Sequence, residues 1–204
     1  MRQVLRILGI LVVLMVAAAL ILSMHLRTTN RLFYATGTKD KAFLNATWRM
    51  SPPEIERANH VTLSLDDDLF VLWDAPDIIN INRFTEYKQK DISLWGYPAE
   101  LHYLFFDRML YKYYINMTAH EPDKPMKDVL NTLQEQFGTG KPTPENAGKN
   151  FISYLQWDTP KQRVYCWLGT KDKIGSYKIG IRAEYKPLTK QLEDIAKAEK
   201  KKYF

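Results

Sequence analysis

The run from Val4 to Met24, VLRILGILVVLMVAAALILSM, constrains this chain more than any other stretch. After Arg6 no charge occurs until His25 and Arg27. About 18 consecutive apolar or small residues suffice to cross a bilayer core of roughly 30 Å as a helix. The expectation is an N-terminal transmembrane helix, with Ile7, Leu11, Leu14, Leu20 and Leu22 among the membrane-spanning residues. A cleaved signal peptide also begins with positive charge, here Arg2 and Arg6, but its apolar core is only about 7–15 residues and ends at a small-residue cleavage site. Ala17, Ala18 and Ala19 could supply that site, yet Leu20, Ile21 and Leu22 carry the run past it. The reading is therefore an uncleaved anchor over 1–26 and a linker over 27–46. Arg2 and Arg6 favour a cytoplasmic N-terminus, while Arg27, Arg31, Lys39 and Lys41 weaken the bias. A short tail before a long domain is the usual signal-anchor arrangement. The chain is expected in the inner (cytoplasmic) membrane, single-pass, with its N-terminus in the cytoplasm and its domain in the periplasm.

Residues 47–204 have the composition of a folded domain, and aromatics make up 13% of the whole chain. The net charge is +6, with much of the excess in the anchor and in the lysine-rich tail AKAEKKKYF. Nucleic acid is not expected as a partner of a domain outside the inner membrane. One cysteine, Cys166, excludes an intramolecular disulfide, and its neighbours in VYCWL mark it as a buried small hydrophobe.

Ser51 followed by Glu54 is a capping box, and Pro52 suits the first helical position, which predicts a helix from Pro52 to about His60. Leu69–Trp73 reads as a strand. The preceding Asp66, Asp67 and Asp68 lack the alternate spacing and glycine of a calcium loop and read as a solvated turn. The segment from Asp74 to Asp91 reads as loop. Leu94–Gly96 is expected to be a short strand or bulge. An antiparallel hairpin is expected over Glu100–Phe106 and Met109–Met117, turning at Asp107-Arg108, with Leu101, Tyr103 and Phe105 on one face. In the second strand Tyr111, Tyr113 and Ile115 are expected to share a face.

Met126, Val129, Leu130, Leu133 and Phe137 follow helical spacing, and Gly138 ends that helix, predicted over 119–137. Strands follow at Phe151–Trp157, Arg163–Leu168 and Tyr177–Tyr185, then a helix from Pro187. This order reads as two tandem α-β-β units, 47–118 and 119–204. The expected fold is α+β, with an antiparallel sheet carrying its helices on one face.

The stretch WRMSPPEI (48–55) looks like the "Met-Ser-x-x-Glu" helix start of small bacterial envelope domains, and YLFFDRMLY (103–111) is similar to their hairpin. The chain thus resembles the SmpA/OmlA outer-membrane assembly lipoproteins and the beta-lactamase-inhibitor-like tandem modules. It departs from them in lacking a lipobox cysteine and in the insert Val61–Lys90. The resemblance implies a binding or assembly module and carries over no functional residue.

No histidine stands in a HExxH pair, and no P-loop, GxSxG or glycine-rich nucleotide fingerprint occurs. His25, His60, His102 and His120 read as structural or surface residues. Cys166 with a distant histidine is a conceivable nucleophile pair, but an apolar setting makes a thiol inert. No catalytic residue, cofactor or metal site is expected. The functional expectation is a membrane-anchored periplasmic module, not an enzyme. It touches the bilayer through its N-terminus and binds another envelope protein or itself. Tyr111, Tyr113, Tyr165 and Trp167 are its candidate contacts on the sheet face away from the helices. The alternative is a small-ligand carrier or enzyme with a pocket between the sheet and the 61–90 insert.

Overall fold

The computed structural model describes residues 42–66, 83–143 and 151–203. The elements run α1 (Pro52–Asn59), β1 (Ser64–Leu65), β2 (Phe84–Leu94), β3 (Tyr97–Phe106), β4 (Met109–Ala119), α2 (Asp123–Phe137), β5 (Lys141–Pro142), β6 (Phe151–Asp158), β7 (Gln162–Gly169), β8 (Tyr177–Tyr185) and α3 (Lys186–Tyr203). These strands join in one sheet, in the order β1-β2-β3-β4-β8-β7-β6-β5. Every neighbouring pair is antiparallel.

Local chemistry sets the boundaries. The Ser51 N–H donates to Glu54 Oε2 at 2.7 Å, so the capping box forms and holds the Glu54 carboxyl below its usual range. His60, at φ 55°, ends α1 in the left-handed conformation. Two tight turns join β2 to β3 and β3 to β4. Trp95 and Gly96 take φ 53° and 82°, and Asp107 and Arg108 take 47° and 64°, the positive values that a two-residue hairpin of right-handed twist demands. Asp107 is an ordinary choice there, and Arg83 stabilises it. The Asp107 N–H donates to the Arg83 carbonyl at 2.9 Å, and the two side chains form an ion pair.

The register divides the sheet into two faces. Leu101, Ile115, Ile181 and Cys166 lie side by side across β3, β4, β8 and β7. All four are fully buried on the face that α1 and α2 cover. Trp48 stacks on Tyr113 with ring centres 5.6 Å apart, and Phe43 meets the same ring at 5.5 Å. Asn59 of α1 donates to the Tyr103 hydroxyl at 3.2 Å, and Trp95 donates to Thr132 of α2 at 3.1 Å. On the other face Phe84, Leu104, Phe106 and Tyr111 are buried with Leu188 and Leu192 of α3.

The expected fold of two α-β-β units with helices on one face is thereby overturned. One continuous sheet carries helices on both faces. Each half holds a helix followed by four strands, and the halves meet where β4 pairs with β8. The second face carries its own aromatic patch, and burying it is worth about 1.5–3 kcal/mol per large side chain. The chain therefore turns back at Lys186 and lays α3 over that patch. A bulge explains why Tyr111 and Tyr113 part company. Phe105 pairs with Leu110 and Leu104 with Lys112, so Tyr111 is the extra residue and turns to the α3 side.

Three further readings change. β2 begins at Phe84, within the segment read as loop, because its Glu86, Lys88 and Gln89 hide its strand character from hydropathy. Asp66 is not a solvated turn residue but is buried beside β2, its N–H donating to the Glu86 carbonyl at 2.9 Å. The helix expected from residue 119 starts at Asp123, since β4 runs on to Ala119 opposite Tyr177. The expected anchor over 1–26, with Ile7, Leu11, Leu14, Leu20 and Leu22, and the expected strand Leu69–Trp73 lie outside the described residues. Among the described residues no helix is long and apolar enough to cross a membrane.

Candidate functional site

α3 covers only part of its face. Beyond its reach, toward the Met117 end of β4, the sheet is left with a groove of about 760 Å³. Tyr114, Asn116 and Lys178 line its floor, Trp167 stands on one side, and Glu86 and His102 stand on the other. The Trp167 indole occupies the space beside Gly180 where a side chain would start. A Cβ at that position would come within 2.0 Å of the ring, so only glycine leaves room for it. Trp167 stacks on Tyr154 at 6.1 Å with planes 15° apart, and Tyr154 meets Tyr165 at 5.8 Å. The Arg182 guanidinium sits 4.3 Å from the Tyr165 ring centre, which fixes that ring against the sheet.

The four aromatic residues singled out from the sequence therefore fall in three environments. Tyr165 and Trp167 share the α3-side face, Tyr165 buried and Trp167 half-buried. Tyr111 is on the same side but 4% exposed beneath α3. Tyr113 is 1% exposed on the opposite face, under Trp48 and Phe43. The sequence reading missed Tyr154, which completes the stack. Its alternation with Gln156 and Asp158 along β6 carried the signal.

The second feature is a cluster of ionisable groups at the groove's edge. Asp66, Glu86 and His102 are 9%, 1% and 6% exposed, and each brings one ligand-type atom within 4.8 Å of the others. Strand pairing assembles them. Lys88 faces His102 across β2 and β3, which sets Glu86 diagonally to the imidazole, and Asp66 enters from the end of β1. His102 Nδ1 lies 2.6 Å from Glu86 Oε1, and Lys88 forms an ion pair with Asp66. Glu100 Oε2 is 3.8 Å from His102 Nε2. Glu86 Oε2 and His102 Nε2 have no hydrogen-bond partner among the described residues. These are the described residues able to hold a metal ion. Neither their spacing along the chain nor any motif announces them. The one signal was an ionisable His102 inside the apolar run Leu101–Phe106.

The remaining candidates are kept apart by the sheet. Cys166 is fully buried on the α1–α2 face, and burial pushes its thiol up to about 12. His102 lies on the opposite face, so the two form no nucleophile pair. His60 and His120 are exposed, and His120 Nδ1 is 3.1 Å from the Ser176 hydroxyl. No family model, no curated protein and no solved structure matches the chain.

Proposed function

We propose that the chain is a non-catalytic binding module of the cell envelope. Its apolar N-terminal sequence holds it at the inner membrane, its domain lies in the periplasm, and it engages another envelope protein through the uncovered part of the α3-side face. The observation that carries this reading is the Tyr154–Trp167 stack beside an open groove. Aromatic side chains held rigid on a sheet are favourable interface anchors, because little side-chain freedom is lost on binding. The apolar run Ile7–Met24 supports the membrane attachment. The limited resemblance to envelope assembly modules points the same way.

A photo-crosslinking residue at Tyr154 in the full chain, with Lys127 of α2 as control, tests the reading in cells. Crosslinks to one envelope protein from position 154 but not 127 are expected. They should be lost when Trp167 is changed to Ser with the crosslinking residue kept at 154, and the circular dichroism spectrum should be unchanged. Equal crosslinking from both positions would sink it.

A second reading, a small-ligand carrier, is favoured by the groove's size and by Lys88 and Lys90, which flank it from the C-terminal end of the 61–90 insert. A small molecule retained by the purified protein in native mass spectrometry, and released by Trp167→Ser, would favour that reading instead.

A further inference from the structure

We propose that Asp66, Glu86 and His102 form a binding site for one divalent transition-metal ion of the zinc class, opening onto the groove beside Trp167. Three observations converge. The first is the donor set, one imidazole and two carboxylates whose ligand-type atoms lie within 4.8 Å of one another. The second is burial without satisfaction. Glu86 is 1% exposed and His102 6% exposed, yet Glu86 Oε2 and His102 Nε2 have no hydrogen-bond partner among the described residues. Buried polar atoms are nearly always partnered, and a carboxylate oxygen is costly to leave bare. The third is a shortage of positive charge. Among the described residues the two buried carboxylates have one ammonium in ion-pair contact, Lys88 on Asp66, while Glu86 meets only the imidazole of His102. Glu184, another buried carboxylate on this face, shows what ordinary satisfaction looks like, since it takes Arg163 at 3.1 Å.

The donor chemistry selects the ion. Calcium asks for six to eight oxygens, and magnesium for an octahedron of oxygens, so neither suits an imidazole-containing triad. Imidazole with carboxylate suits zinc and its neighbours in the first transition row. Three protein ligands leave a fourth position, the arrangement of an accessible zinc site. On binding, the ion takes the Asp66 carboxylate over from the Lys88 ammonium. Lys88 is thus a competitor whose removal strengthens the site.

The test uses the full chain in detergent, stripped with a chelator and then titrated with Zn²⁺. One ion per chain is expected after dialysis, read by elemental analysis. Co²⁺ in its place should give visible ligand-field bands. X-ray absorption of the zinc form should show one imidazole and oxygen ligands, with no sulfur. His102→Gln and Glu86→Gln should each weaken binding by roughly 10–100-fold or more, and Lys88→Met should strengthen it. Failure of the folded wild-type protein to retain zinc overturns the proposal. So does unchanged affinity in both glutamine variants, or a coordination shell of several imidazoles. Should those variants not fold, the absorption spectrum of the wild type and the direction of the Lys88→Met effect decide. A weaker or unaltered affinity in Lys88→Met then counts against the site.

Discussion

Gly180 is the position where one added methyl group tests the architecture of the open face. A Cβ there would lie 2.0 Å from Trp167 Cζ2 and 2.1 Å from Cε2, far inside the contact distance of non-bonded carbons. Both atoms belong to a rigid indole, so the ring must swing away from β8. A tryptophan buries roughly 150–250 Å² when enclosed. Trp167 is half-buried, so about 100 Å² returns to water, a loss of about 2.5 kcal/mol at 25 cal/mol per Å². Alanine recovers about 0.5–1 kcal/mol over glycine in a strand interior, leaving Gly180→Ala destabilising by about 1.5–2 kcal/mol. The sign reverses once the indole is gone. In a Trp167→Ala background the same substitution meets no ring and should stabilise by about 0.5–1 kcal/mol. Urea unfolding of the four proteins of this cycle, followed by circular dichroism, gives the coupling, expected at about 2.5 kcal/mol. Additive effects, within about 0.5 kcal/mol, would refute the close packing of Trp167 on Gly180.

Two shorter predictions concern the buried groups. Cys166 should resist thiol reagents in the folded protein and react at once in urea. Its folded value near 12 lies above the ordinary 9.0, so its contribution is full below pH 9 and falls as pH rises toward 12. Replacing Cys166 with Ala should flatten that alkaline decline in a pH series of unfolding curves; an unchanged slope would contradict it. Leu192→Ala, on the sheet-facing side of α3, should cost about 2–5 kcal/mol and raise binding of a hydrophobic dye, because Phe84, Leu104 and Phe106 lose their cover. A loss below about 0.5 kcal/mol would mean that α3 does not seal that face.

What could be read from the sequence was what local chemistry fixes. The capping box at Ser51, the Gly138 helix end, the Asp107-Arg108 turn and the strand Tyr177–Tyr185 each depend on residues a few positions apart, and each is present in the structure. What stayed hidden depends on pairing across the sheet. Tyr111 and Tyr113 alternate in the sequence, yet a bulge opposite Leu104–Phe105 puts them on different faces, and nothing within β4 marks it. The side chosen by α3 was equally invisible. Leu188, Leu192 and Ile195 announce an apolar stripe but not its target. The target exists only once Phe84, Leu104 and Phe106 are brought together from two strands. β2 escaped notice for a related reason, because a strand whose buried positions include Glu86 and Gln89 does not look buried.

That last point separates two explanations of the Asp66–Glu86–His102 cluster. If the cluster holds the sheet together, removing it must destabilise the protein. If it is kept for an ion, the metal-free fold carries it at a loss. Replacing a buried ionic set with apolar residues of similar volume is often neutral or stabilising, by about 1–4 kcal/mol, provided no lone charge is left behind. Glu86→Leu with His102→Leu meets that condition, since the Lys88–Asp66 ion pair remains balanced. Leu104 and Phe84 flank the cluster on the same face and offer apolar neighbours to both leucines. In chelator the double variant should therefore unfold at a urea concentration equal to or above that of the wild type. Adding Zn²⁺ should then raise the wild-type midpoint and leave the variant's unmoved, because only a ligand bound to the folded state shifts the equilibrium. A variant several kcal/mol less stable than the wild type in chelator would make the cluster a structural network, and its retention would then require no ion.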